Sequence, residues 1–399
     1  MPDLSFDAAV AFAQDLIRIP SPPGGEGDVA DRVLREFEAL GFDEVERDDA
    51  GNVVGRIAGR GGGSTVLLNA HLDVVAEGEP AEWEHPPFGG VVADGHLHGR
   101  GAMDIKGPLA LMTYAAAATG GRLDGDVIVA HTVFEERGGL GMKHLLESGR
   151  VAPDVVIIGE STHGDVCIGH RGRAELEVIL RGQAGHASAP ERARNALDVL
   201  PAVLEAVQFV AADQPRDAVL GPASLAATSV DVSPTSRNVI PDTVVVALDW
   251  RILPGTTSDD LVEAIRAAIH RRLPVLPDGR SIEVRMALEE QVTYTGLARD
   301  RNLLTPGFLV APEHPVVEAA ARAVGRRAGD GPAATRPWTF ATDGGWSCGV
   351  NGIPTVGFAP GEERYAHTNR ERLDLEEARW AYERYPALIE AVMGAATSE

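Results

Sequence analysis

Cysteine, lysine and long apolar runs are scarce in this sequence. Cys167 and Cys348 are its only cysteines and belong to no C-x-x-C pair, which excludes a disulfide framework and a thiolate zinc knot. Lys106 and Lys143 are its only lysines, so Schiff-base chemistry has few candidate nucleophiles. No apolar run approaches the roughly 20 residues needed to cross a bilayer, and the sequence therefore predicts no membrane span.

Runs of basic residues are absent as well. The formal net charge is -23 at pH 7, and it is spread along the chain, so the sequence offers no positive surface for nucleic acid or anionic lipid. We expect neither of these as a partner. Residues 1–20 carry acidic side chains where a signal peptide has basic ones. Together with the scarce cysteines, this predicts a cytoplasmic protein.

The length and the apolar pattern predict two domains. A chain of 399 residues exceeds what one hydrophobic core usually organises. Helical periodicity opens the chain, and four short apolar runs follow at 64–73, 125–136, 153–160 and 353–361. Such runs are typical of strands that are buried on both faces of a sheet. We therefore expect an α/β domain from residues 1–173 and 298–399, with a mainly parallel mixed sheet flanked by helices.

Residues 174–297 have a different pattern. Apolar and polar residues alternate in RAELEVILRG, TVVVALDWRILP and SIEVRMALEEQ, and two stretches of helical periodicity lie between these segments. Alternation is typical of strands with one buried face. The sequence therefore predicts a smaller α+β domain inserted into the first domain.

Potential metal ligands follow all four buried strands. In chain order they are His71 with Asp73, Glu135 with Glu136, Glu160, and His367. Because ligands bind at the carboxyl ends of the strands in an open parallel sheet, these side chains can converge in space. Asp104 lies in a glycine-flanked loop before a helix, and it can join them.

This set of side chains favours a catalytic metal site. Histidines with several carboxylates suit Zn²⁺, Co²⁺ or Mn²⁺, and the absence of nearby cysteine argues against a structural zinc site. Two divalent ions about 3.5 to 4 Å apart would need a bridging carboxylate, and Asp104 suits that position. Glu135 and Glu136 project differently from one segment, so one can bind metal while the other acts as general base.

The sequence resembles the two-zinc deacylases and peptidases that include acetylornithine deacetylase, succinyl-diaminopimelate desuccinylase, aminoacylase and glutamate carboxypeptidase. The resemblance covers nearly the whole chain. The motifs that carry it, all in the order of that family, are LLNAHLDVV, GRGAMDIKGPLA, VFEERGG, IIGEST, GQAGHASAPERARNAL, NVIPD, DWRILP, ATDGGW and GFAPGEERYAHTNRERL.

This resemblance implies two divalent metal ions, with Zn²⁺ favoured over Co²⁺ and Mn²⁺. The implied ligands are His71, Asp104 and Glu160 for one ion, and Asp104, Glu136 and His367 for the other. The resemblance also implies that Asp73 orients His71. Glu135 is then the base that deprotonates the bridging water and later passes the proton to the leaving nitrogen.

The resemblance assigns further roles beyond the metal ligands. His186 would reach from the inserted dimerisation and lid domain into the partner's site of a homodimer and stabilise the oxyanion. Asn238 and Arg251 would bind the substrate carboxylate, and Gly361 would bring backbone N–H groups near the substrate. Simpler interpretations stay open: a surface or capping histidine, a structural ion pair at Arg251, and an ordinary turn at Gly361.

The predicted function is hydrolysis of the amide bond of an N-acyl amino acid. Glu160, where relatives can carry aspartate, favours deacylases and carboxypeptidases within the family. A carboxypeptidase or dipeptidase with the same metal site is the alternative. A non-catalytic dimeric binding module is disfavoured because no ligand and no base is missing from the pattern.

Overall fold

A computed structural model describes residues 2–396. The chain forms two compact units. The first contains Met1–His170, Gln291–Arg299 and Phe308–Glu399, and the second contains Arg171–Glu290 and Asp300–Gly307. Among residues 2–396, none of the helices combines the length and the apolar character that crossing a bilayer requires.

The first unit contains a mixed sheet with helices packed against it. Within residues 2–396 its strands, in spatial order, are Glu44–Arg47, Val53–Ile57, Val127–Thr132, Val66–His71, Val155–Ile158, Thr355–Gly357, Val166–Cys167 and Thr335–Arg336. The four strands from Val127–Thr132 to Thr355–Gly357 run parallel to one another. Antiparallel pairs flank this centre on both sides. The predicted α/β class with a mainly parallel mixed sheet is confirmed.

Burial explains why the central strands form. Every residue of Val66–His71 and of Val127–Thr132 is buried, which matches the continuous apolar runs of the sequence and is typical of parallel strands covered on both faces. Helices of this unit are Phe6–Ile17, Gly27–Leu40, Lys106–Ala117, Leu140–Glu147, Pro315–Val324, Leu375–Tyr382 and Tyr385–Ala396. Lys106–Ala117 is almost wholly buried. These helices and the central strands share one hydrophobic core.

The second unit has an antiparallel sheet with two helices against one face. The strands run in the order Ser224–Ser233, Thr243–Ile252, Gly172–Arg181 and Ser281–Met286, and Leu304–Thr305 also pairs with Gly172–Arg181. Its helices are Leu200–Ala212 and Ser258–Arg272. Burial alternates along Thr243–Ile252, and the buried side of this strand shares a core with both helices.

Short elements complete the chain. A three-stranded sheet contains Arg372–Asp374, His96–His98 and Val91–Ala93. Two-stranded pairs join Gly169–His170 to Phe308–Leu309, Gly185–His186 to Val239–Ile240, Arg216–Asp217 to Gly221–Pro222, and Leu288–Val292 to Ala298–Asn302. The short helical turns are Pro80–Glu82, Pro190–Arg192, Ala196–Val199, Gly345–Val350 and Glu363–Tyr365.

Candidate metal centre

The carboxyl ends of the central strands bring the predicted ligands together. Two groups have ligand atoms that all lie within 4.8 Å of one another: His71 with Asp104 and Glu160, and Asp104 with Glu136 and His367. His71 ends the strand Val66–His71, while Glu136 and Glu160 lie shortly beyond the two neighbouring parallel strands. This is the convergence that parallel strand ends produce.

Asp104 is common to both groups. Its Oδ1 lies 3.2 Å from His71 Nε2, and its Oδ2 lies 3.2 Å from His367 Nε2. Burial alone would raise the pKa of Asp104, but hydrogen bonds from His367 and His71 outweigh burial and lower it. One carboxylate therefore presents one oxygen to each group, which is the arrangement that a bridge between two ions requires.

The first group is deeply buried. The His71 side chain is 1% exposed and that of Glu160 is 5% exposed, and His71 Nε2 lies 3.3 Å from Glu160 Oε1. Burial alone would lower the pKa of His71, but hydrogen bonds to the Asp104 and Glu160 carboxylates raise it well above its ordinary value. Burial also raises the pKa of Glu160 to about 7. Hydrogen bonds thus link the His71 imidazole to two buried carboxylates.

The second group is more open. The His367 side chain is 53% exposed, and its Nε2 lies 3.1 Å from Glu136 Oε2. Hydrogen bonds to Asp104 and Glu136 raise the pKa of His367 to about 10. His367 has a φ of 59°, in the left-handed region, and lies two residues beyond the short turn Glu363–Tyr365. Its imidazole is therefore accessible from solvent.

Glu135 lies beside the ligand atoms but belongs to neither group. Its Oε2 is 4.0 Å from His71 Nε2. Burial raises the pKa of Glu135 well above its ordinary value, and the carboxylates of Glu160 and Asp343 add to that effect. A carboxyl group that is raised in pKa and adjacent to the ligands suits general acid–base chemistry.

Asp73 contacts His71 through the main chain. His71 Nδ1 lies 2.8 Å from the Asp73 carbonyl oxygen and 3.7 Å from Oδ1 of the Asp73 side chain. The carboxylate instead accepts hydrogen bonds from the N–H groups of Glu135 and Glu136, each at 3.1 Å. Burial raises the pKa of Asp73 to about 8. Asp73 therefore connects the His71 turn to the segment that carries Glu135 and Glu136.

The side chains present fit divalent cations. Each group supplies one imidazole nitrogen and two carboxylates, which is a ligand set that Zn²⁺, Co²⁺ and Mn²⁺ accept. Three protein ligands for each ion leave positions for water and substrate, as catalytic sites require. Burial raises the pKa of the ligand Glu160 and of the neighbouring Glu135, and added positive charge would offset the cost of burying these carboxylates.

The remaining predicted residues of the inserted segment lie in the second unit. His186 pairs with Val239 in a two-stranded ladder, and Ala187 N–H donates to the Asn238 carbonyl oxygen at 3.0 Å, so His186 and Asn238 are neighbours. Arg251 lies on Thr243–Ile252, and its Nε donates to Asp249 Oδ1 at 2.9 Å. The roles predicted for these three residues at the metal centre stay predictions.

Gly361 is required by close packing. Its φ is 117°, and a Cβ there would lie 2.3 Å from Met103 Cγ. Its N–H donates to the buried carboxylate of Glu377 at 3.1 Å. The structure therefore accounts for the glycine, but this particular N–H is already engaged by Glu377.

Sequence reasoning missed Glu371 and Arg100. The Glu371 carboxylate is buried, pairs with Arg100, and accepts hydrogen bonds from the N–H groups of Met103 and Asp104. The only signal for it in the sequence was a glutamate four residues beyond His367 and an arginine four residues before Asp104. Neither position identifies its partner, because 271 positions separate the two residues.

The chain resembles known proteins over most of its length. It is 32% identical over 365 residues to the uncharacterized protein YgeY of Escherichia coli (strain K12), covering 90% of this chain and 88% of that protein. It is 37% identical over 277 residues to the succinyl-diaminopimelate desuccinylase of Acidiphilium cryptum (strain JF-5), covering 66% of this chain and 73% of the relative. The M20 family metallo-carboxypeptidase Sso-CP2 from Sulfolobus solfataricus has the same fold, with a TM-score of 0.74, 16% identity, and coverage of 98% and 99% of the two chains.

Fold, ligand groups and relatives together define a metal-dependent hydrolase that acts on amide or peptide bonds of small molecules. The model of peptidase family M20/M25/M40 matches residues 67–391. The chain therefore belongs to this family, and the resemblance drawn from its motifs is confirmed.

Proposed function

We propose that this chain hydrolyses the amide bond of an N-acyl amino acid with the help of two divalent metal ions. Zn²⁺ is favoured over Co²⁺ or Mn²⁺, and Asp104 would be the ligand that the two ions share. The observation that carries the proposal is the position of the Asp104 carboxylate. Each of its oxygens lies 3.2 Å from the imidazole of a different group. His71 and Glu160 would complete the ligands of one ion, and Glu136 and His367 those of the other.

Glu135 is the proposed general base. Two metal ions held by these residues would lower the pKa of a water at the site and polarise the amide carbonyl. The Glu135 carboxylate takes the proton of the attacking water and later gives it to the leaving nitrogen. Its raised pKa suits a group that must both accept and donate a proton. Asp73 holds the main chain of Glu135 and thereby fixes the direction of the side chain.

Residues of the second unit are proposed to handle the substrate. His186 would stabilise the oxyanion in the partner's site of a homodimer, and Asn238 and Arg251 would bind the substrate carboxylate. In support, His186 is exposed, and its Nδ1 accepts a hydrogen bond from Ser188 N–H at 3.1 Å. No residue in the described part of its unit bonds to Nε2, so that nitrogen can donate to an oxyanion.

The substrate class rests on the relatives together with the site. A relative that is 37% identical is named a succinyl-diaminopimelate desuccinylase, which removes an acyl group from an amino acid. We infer that the substrates of this chain are acyl amino acids with a free carboxylate. Dipeptides are the competing substrates, because the same ions and base would serve a carboxypeptidase or dipeptidase.

A hydrolysis screen tests this proposal. Protein reconstituted with Zn²⁺, Co²⁺ or Mn²⁺ is offered acetyl, succinyl and formyl amino acids and a set of dipeptides. Turnover of an acyl amino acid supports the proposal, while cleavage of dipeptides alone replaces it with the peptidase reading. In the same assay Glu135→Ala should keep its metal content and lose about 10²- to 10⁴-fold in turnover. Unchanged turnover would remove Glu135 from the role of base.

A further inference from the structure

We propose that Arg100 and Glu371 form a positioning pair that holds the Asp104 bridge in place between the two ions. This inference rests on the proposed two-metal function and adds two residues to it. Within residues 2–396, the hydrogen bonds of the two side chains go to each other, to the N–H groups of Met103 and Asp104, and to the Ala76 carbonyl oxygen. Glu371 acts on the main chain that carries Asp104, and Arg100 holds the Glu371 carboxylate in turn.

The Glu371 carboxylate is fully engaged by the Asp104 loop. Its Oε1 accepts hydrogen bonds from the N–H groups of Met103 and Asp104, each at 3.1 Å, and its Oε2 accepts from Arg100 Nη1. The side chain of Glu371 is 0% exposed and that of Arg100 is 3% exposed. A carboxylate that binds two consecutive N–H groups restrains the main chain there, and hence the direction in which Asp104 leaves it.

A small sheet brings Glu371 to this position. Arg372 pairs with His98 in the antiparallel ladder between Arg372–Asp374 and His96–His98. Gly99 N–H donates to the Glu371 carbonyl oxygen at 3.3 Å and continues that ladder by one residue. Main-chain pairing therefore places Glu371 opposite Gly99, the residue that precedes Arg100.

The pair also connects three segments that carry predicted ligands. Glu371 lies four residues beyond His367 in the sequence, and its carboxylate holds the Asp104 loop. Arg100 Nη2 donates to the Ala76 carbonyl oxygen at 3.3 Å, on the chain that continues from His71. The Arg100 guanidinium also lies 5.2 Å from the centre of the Trp83 ring, which fixes its orientation further.

Residues that hold the ligands of a metal ion, without binding the ion themselves, commonly adjust the affinity of the site. Residues that hold the ligands of an ion are known to change its affinity when they are replaced, by about 10- to 100-fold. A pair that only stabilised the fold would lower the melting temperature without changing metal affinity selectively. The two roles therefore give different measurements.

The test compares Glu371→Gln with Asp126→Asn. Asp126 has the same kinds of partner, Arg56 and the N–H of Gly59, but it precedes the strand Val127–Thr132, at the end opposite to Glu135.

Metal-free protein is titrated with Zn²⁺ and Co²⁺ by calorimetry, and Tm and circular dichroism are recorded for each variant. We expect Glu371→Gln to bind the ions about 10- to 100-fold more weakly than wild type. At saturating metal its kcat should return to the wild-type value, and its KM for the substrate should be unchanged. Asp126→Asn should lower Tm and leave metal affinity as in wild type.

Metal affinity of Glu371→Gln equal to that of wild type would overturn the proposal. If Glu371→Gln does not fold, the metal affinity of Arg100→Lys is measured instead, and a value equal to that of wild type would again overturn the proposal. This variant keeps the positive charge but loses the simultaneous hydrogen bonds to Glu371 and Ala76. The wild-type titration is independent of turnover. Wild-type protein that binds two ions but hydrolyses no acyl amino acid would contradict the proposed substrate and leave this comparison intact.

Discussion

The two halves of the metal centre share Asp104 but differ in their contact with solvent. On one side His71 and Glu160 are almost completely buried, while on the other side His367 is 53% exposed. Each half offers one imidazole and two carboxylates, so the ligand chemistry is the same. The two halves of the metal centre therefore differ in the burial of their ligands and not in the type of ligand.

The buried half ends a strand in the middle of the sheet, whereas the open half depends on a loop. His71 is the last residue of Val66–His71, which is buried along its whole length. His367 follows the short turn Glu363–Tyr365. We therefore expect the buried half to contribute more to the stability of the metal-free protein and the open half to exchange its ion more readily.

Replacing each histidine by alanine in metal-free protein gives the largest expected difference. His71→Ala leaves the Glu160 carboxylate buried without its His71 partner and leaves Asp104 with His367 alone, and breaking a buried pair in this way costs about 3 kcal/mol or more. His367→Ala removes an exposed partner, for which a loss of about 1 kcal/mol or less is typical. Urea unfolding of both variants measures the two values. Equal losses would show that burial does not separate the halves.

The pH dependence of metal binding gives a smaller effect. The pKa of His367 is raised to about 10, so at neutral pH the metal-free protein holds a proton that an ion must displace. Metal affinity at the open half should therefore rise with pH and level off above about pH 10, by about tenfold per unit for one released proton. Calorimetric titrations at pH 6, 7 and 8 check this, with His367→Ala as the control that should keep only the pH dependence of the buried half, where the pKa of His71 is also raised. A metal affinity of wild type that does not change with pH would show that the ion displaces no proton from His367.

Strand ends were the part of the site that could be predicted from the sequence. The apolar runs identified the central strands, and the rule for parallel sheets then placed their carboxyl ends at one edge. His71, Glu136 and Glu160 follow from that argument because each lies at or just beyond such an end. His367 and Asp104 lie in loops, and their place depended on the motifs.

Contacts made by buried charges could not be predicted. Glu371 and Arg100 are 271 positions apart, and each is an ordinary charged residue in a polar stretch. Asp73 was predicted to orient His71, but no sequence pattern distinguishes a contact through its carbonyl group from one through its carboxylate. Such choices depend on where the main chain places N–H groups.

One strand of the second unit was also not predicted. Ser224–Ser233 reads SLAATSVDVS and is mostly exposed. It lies at the edge of its sheet and pairs with Thr243–Ile252 through a register shift between Ala227 and Ser229. Small and polar residues at an edge give no strong apolar alternation, because little of the strand is buried.

Anomalous diffraction from crystals of the protein saturated with Zn²⁺ or Co²⁺ tests the central claim most directly. We expect two peaks about 3.5 to 4 Å apart, with Asp104 between them, His71 and Glu160 at one, and Glu136 and His367 at the other. A single peak, or two peaks that do not share Asp104, would contradict the two-metal account.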